Sequence, residues 1–117
     1  MVVLTNPSDA SREDEFNQWY DEVHVPDVLQ IEGIVAATRY RISDARLDPA
    51  APVDHRYLAL YEIEAEDVGA VLNALVEGAG TGALRMSDVL QMDPMPSMTI
   101  FERVTDRVTA PTAATGG

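Results

Sequence analysis

The run from His55 to Glu64 (HRYLALYEIE) constrains this chain most, because it reads as a strand carrying large groups on both faces. Tyr57, Ala59, Tyr61 and Ile63 alternate onto one side, and Leu58, Leu60, Glu62 and Glu64 onto the other. A chain of 117 residues builds one hydrophobic core, which excludes a two-domain arrangement. It must cover one face of such a strand with its own helices and find cover for the second.

The remaining elements follow from similar patterns. Met1 to Thr5 is a Val-rich strand closed by the turn Asn6-Pro7-Ser8-Asp9. Ser11 with Asp14 resembles a capping box, and Phe16, Trp19, Tyr20 and Val23 then follow helical spacing. Pro26 predicts a bend or stop near Val25, since it has no N–H to bond back to Glu22. A short turn through Gln30 would end at Glu32-Gly33. Ile34 to Ile42 reads as the second strand. Ser43 to Asp54, with two Pro and three Asp, is a loop long enough to act as a lid.

Val68, Val71, Leu72, Leu75 and Val76 form the most regular helical stripe in the chain, with Gly78 as its expected stop. Ala79 to Pro96 is irregular, with a short helix expected at Ala83 to Met92, and Met98 to Val104 is the fourth strand. Thr105 to Gly117 has almost nothing to bury and is expected to be a flexible tail beyond a single domain of residues 1–104. The order β-α-β-β-α-β is that of the ferredoxin-like α+β fold, a four-stranded antiparallel sheet with two helices on one face. A second copy of the chain is the simplest cover for the other face, so a homodimer packed sheet to sheet is expected.

Composition narrows the chemistry. The formal net charge of -12 repels nucleic acid and anionic membranes, and no apolar run reaches the roughly 20 residues of a membrane span. With no basic, apolar leader at the start, a cytoplasmic location is expected. All eight basic residues are Arg, so the absence of Lys rules out Schiff-base chemistry and a Walker lysine. The absence of Cys removes thiolate catalysis and thiolate-bound metal, and two distant His are poor ligand arithmetic. Neither a metal nor a cofactor is therefore expected.

His24 is the residue best placed for chemistry. It sits at the margin of the first helix's apolar stripe, at the helix end, with Tyr20 and Asp21 a turn behind to orient it. The helix dipole would raise its pKa and burial would lower it, so titration near neutrality is expected. Trp19 and Tyr20 fit the core as readily as a substrate platform. Arg39 and Arg41 share a strand face, where they could bind an enolate or pair with Glu62 and Glu64. Tyr40, Tyr57 and Tyr61 could line a pocket and donate to an oxyanion. His55 reads as a solvent-facing strand end.

The run Phe16-x-x-Trp19-Tyr20-x-x-x-His24-x-Pro26, followed by Gly33 and Thr38-Arg39-Tyr40, resembles the first helix and second strand of EthD-like proteins of the dimeric α+β barrel superfamily. That resemblance implies a pocket between helices and sheet in each protomer of a dimer. The family histidine falls on His24 and its aromatic neighbour on Tyr20. It implies a cofactor-independent cyclase, isomerase or lyase acting on an aromatic, polyketide-like or lactone small molecule. His24 would be acid or base, a tyrosine such as Tyr61 would polarise a carbonyl, and Phe16, Trp19, Tyr40, Tyr57 and Arg39 would line the site. A monooxygenase or haem-degrading member, suggested by Trp19, Asn6 and His24, and a non-catalytic dimeric ligand-binding protein are the alternatives.

Overall fold

The computed structural model describes residues 1–111. Strand β1 (Val2–Thr5) leads through a 3-10 turn at Ala10–Arg12 into α1 (Glu13–Trp19). A π-helical turn at Tyr20–His24 joins α1 to α2 (Val25–Val28). Strands β2 (Ile34–Arg41) and β3 (Tyr57–Ile63), helix α3 (Val68–Thr81) and strand β4 (Ser97–Thr99) complete the order. The sheet runs β2-β3-β1-β4 with every pair antiparallel, so the α+β, ferredoxin-like arrangement expected from the pattern is present.

The register separates the two faces. Val3, Ala59 and Arg39 lie opposite one another across β1, β3 and β2, as do Thr5, Tyr57 and Arg41. Val3, Thr5, Tyr57, Ala59 and Tyr61 are buried, and with Phe16, Tyr20, Val28, Val71 and Leu75 of the helical segments they build the core. On the other face Val2, Leu4, Leu58 and Leu60 are half-buried, and Tyr40 is 52% exposed. No helix among the described residues is long and apolar enough to cross a membrane.

Several local expectations are corrected. The first cap is Asp9, whose Oδ1 accepts from the Ser11 N–H at 2.9 Å, and Ser11 Oγ donates to the same oxygen instead of capping α1 itself. Pro26 does not stop the helix: His24 and Val25 keep the right-handed helical conformation, and the chain runs from the π turn straight into α2 with Pro26 near its start. Helix α3 runs past Gly78 and closes at Gly82, which takes the left-handed conformation at φ +84. Gly78 serves close packing, since a Cβ there would meet Leu84 Cγ at 3.1 Å. Gly33, at φ +97, turns the chain into β2 against α3, where a Cβ would lie 2.9 Å from Val71 Cγ2.

No helix forms between Ala83 and Met92, which cross the molecule as an irregular strap. Strand β4 is shorter than expected because it pairs only with Val2–Leu4 of β1; beyond it Phe101 and Val104 are 70% and 94% exposed. Residues 105–110 of the expected tail are exposed and form no regular element, and residues 112–117 lie outside the described residues.

Candidate functional site

On an ideal α-helix, residues five apart point about 140° away from each other. Trp19 and His24 could not touch there. The π turn changes this: Val25 N–H bonds to Tyr20 C=O, and closing i→i+5 rings spreads a turn over about 4.4 residues, which brings such a pair to within roughly 50°. The Trp19 and His24 rings stack with centroids 4.8 Å apart and planes at 24°. Tyr20 meets the same imidazole edge-on at 4.9 Å. His24 is thereby held between two aromatic rings.

A second set of contacts locks this slot from outside. Trp19 Nε1 donates to the Arg85 carbonyl at 3.2 Å. The Arg85 guanidinium grips Asp27 at 2.7 and 3.0 Å, and its backbone N–H reaches the same carboxylate at 2.9 Å. Asp27 is consequently held down to about 2, chiefly by Arg85. Burial pushes His24 down to about 4, opposed by the charge of Asp27 and assisted by that of Arg39. The expectation of titration near neutrality is therefore overturned: the helix continues past His24 through α2, and burial outweighs the favourable charge of Asp27. At neutral pH the imidazole is uncharged.

The imidazole opens into a cavity of about 480 Å³. Its floor is Met1, Val3, Thr5 and Tyr61 of the sheet, one wall is the Leu72–Leu75–Ala79 face of α3, and the opposite wall is Tyr20, His24 and Val28. The strap closes it with Leu84, Met86, Leu90 and Met92, and Met95 and Pro96 of the following segment with Met98 of β4 complete the rim. All five methionines of the chain line this one space. Among an otherwise apolar lining, only Thr5, Tyr20, His24 and Tyr61 bring polar side chains.

Three of those four carry a buried polar atom with no hydrogen-bond partner: Tyr20 Oη, Tyr61 Oη and His24 Nδ1. The Tyr20 hydroxyl lies near enough to those of Tyr61 and Thr5 to perturb ionisation, yet the two tyrosines reach no good hydrogen-bond geometry. Burial raises both phenols above their ordinary value, so they remain donors. A buried polar atom left unpaired costs about 1–3 kcal/mol, and these three belong to residues that line one apolar cavity. Thr5 and the methionine wall escaped sequence reasoning, although four methionines crowded between residues 86 and 98 of an aperiodic segment were a usable signal.

The other residues singled out from sequence lie elsewhere. Phe16 is fully buried, with its ring 5.5 Å from Tyr20 and 5.1 Å from Tyr57. Arg39 spreads over the Tyr20 ring at 4.3 Å, behind the cavity, and its guanidinium donates to Asp21 at 2.7 Å and Asn17 at 2.9 Å. The Tyr57 hydroxyl donates to Glu13 at 2.8 Å and accepts from Asn17. Tyr40 occupies the open sheet face. Asn6 lines a separate polar cleft with Asp9, Glu13 and Arg56, where it donates to the Asp54 carbonyl and to Gln91 and accepts from the Arg56 N–H. Trp19 and His24 are thus joined, and Asn6 is not with them.

Among the described residues no three His, Asp or Glu side chains gather as a metal site. No known protein family matches the chain, and no curated protein is similar enough to match it. Among solved structures the chain is similar to the crystal structure of HapK from Hahella chejuensis, at 13% identity over 91% of this chain and 97% of that one, with a TM-score of 0.44.

Proposed function

We propose that the cavity binds a small organic molecule and that His24 moves a proton on it without a cofactor, in the manner of a cyclase, isomerase or lyase. The observation that supports this most is the set of three unpartnered polar atoms, His24 Nδ1 and the Tyr20 and Tyr61 hydroxyls, on residues that line one apolar space. In this reading Tyr61 donates to a substrate carbonyl, and the His24 imidazole accepts the proton from the adjacent C–H or O–H. The imidazolium and the enolate then neutralise each other. His24 returns the proton to another substrate atom, which completes an isomerisation or ring closure. The EthD-like resemblance of Phe16 to Pro26 and a homodimer through the open sheet face belong to the same proposal.

One observation favours a second reading. A base whose pKa is about 4 is poorly matched to neutral pH, which suits a ligand-binding or accessory protein whose imidazole only accepts a hydrogen bond. Hydrogen exchange separates the two. In D2O, 2-tetralone offers an acidic C–H beside a carbonyl, and its loss is followed by NMR. Accelerated exchange that falls by about 10²–10⁴ in His24→Ala supports catalysis. Binding without acceleration supports the second reading, and neither binding nor acceleration by this or related ketones and lactones refutes both.

A further inference from the structure

The charge of the cavity wall restricts what can enter it. Its side chains include no Arg, no Asp and no Glu; of its titratable bases, His24 is held in the neutral form by burial, and the Met1 α-ammonium already donates to the Tyr61 carbonyl at 2.7 Å. The two nearest candidates for a counter-ion are already spent: Arg39 on Asp21, Asn17 and the back of the Tyr20 ring, and Asp27 on Arg85. The remaining wall is aliphatic carbon and thioether sulfur, which adapts to flat, polarisable surfaces.

We infer that this cavity selects an uncharged ligand with both a hydrogen-bond acceptor for the tyrosine hydroxyls and a donor for the His24 imidazole, and rejects carboxylates and phosphates of equal size. This rests on the cavity being the functional site. At roughly 30 Å³ per water-sized group, about 480 Å³ holds on the order of sixteen non-hydrogen atoms, the size of two or three fused rings. A carboxylate brought into it would lose water and gain no side-chain cation, while the chain's net charge of -12 repels it on approach. An ammonium would find no carboxylate, and Arg39 already occupies one face of Tyr20. Haem is a poor fit for the same reason, since its two propionates would have no cationic partner here.

The methionines supply the readout. With methyl-¹³C methionine, all five methyl signals report on the cavity, and the protein can be titrated at pH 7 with 2-naphthol, 2-naphthoate and 2-naphthylmethylammonium, three bicyclic probes that differ mainly in charge. The expected result is that 2-naphthol shifts the methionine signals with an affinity at least about tenfold above that of either ion. Met98→Arg, placed at the exposed rim, should raise 2-naphthoate affinity by a similar factor. An ion that shifts the same signals with equal or greater affinity than 2-naphthol overturns the charge selection and leaves the site standing, as does a Met98→Arg protein with unchanged affinity for 2-naphthoate. If none of the probes moves any methionine signal, the site itself is refuted.

Discussion

Acidification is the perturbation for which the structure gives the firmest magnitude. His24 in the folded chain has a pKa of about 4, against an ordinary 6.5. Between those values the unfolded chain binds a proton that the folded chain refuses, so stability falls as pH falls through this window and is unaffected above it. A shift of that size lowers stability by about 2 kcal/mol at pH 5 and about 3 kcal/mol at pH 4. For a domain of this length each kcal/mol moves the melting temperature by about 4 °C, so the change at pH 4 is on the order of 12 °C. Carboxylates titrate in the same range, so the quantity to measure is the difference between the wild type and His24→Leu, which keeps an apolar group in the aromatic slot. Thermal melts of both proteins at half-unit steps from pH 7.5 to 4 give it. The wild type should lose ground steadily against the variant below pH 6.5. A difference that stays flat over the whole range refutes the claim that burial holds the imidazole neutral.

The unpartnered phenols make a prediction of the opposite sign. Tyr61→Phe removes a buried hydroxyl that has no hydrogen bond, so it should leave stability unchanged or raise it by about 1 kcal/mol in urea melts while weakening 2-tetralone exchange; a loss above about 1 kcal/mol means the hydroxyl is bonded in solution. The open sheet face should pair with its copy: sedimentation should give a dimer at micromolar concentration and a folded monomer for Leu60→Glu, and a monomeric wild type would rule out sheet-to-sheet association.

Much of the fold was legible because its signals are local. The alternation of Tyr57, Ala59 and Tyr61 and the stripe from Val68 to Val76 each report their element through periodicity alone, and both are present where expected. His24 and Tyr20 were legible as neighbours because i and i+4 meet on any helix. The Trp19–His24 stack was not, since nothing in composition or period announces a π turn. The strap was hidden for a different reason: it is held by contacts such as Arg85 to Asp27, separated by 58 residues, and by the Ser8 N–H to the Val89 carbonyl at 2.7 Å. The ionisation of His24 depends on a contest between the charge of Asp27 and burial, and only the packed structure supplies the burial.

The methionine wall also ties the cavity to the oxidant level of its surroundings. Met86, Met92, Met95 and Met98 are 49%, 51%, 68% and 55% exposed, open enough for hydrogen peroxide to deliver an oxygen atom to sulfur and leave as water. Each sulfoxide formed replaces a flexible apolar group with a polar, chiral one. Because these side chains sit at the rim and on the strap, with only Met1 belonging to the core cluster, oxidation should degrade ligand binding before it degrades the fold. Reductive repair by methionine sulfoxide reductases would restore the apolar wall.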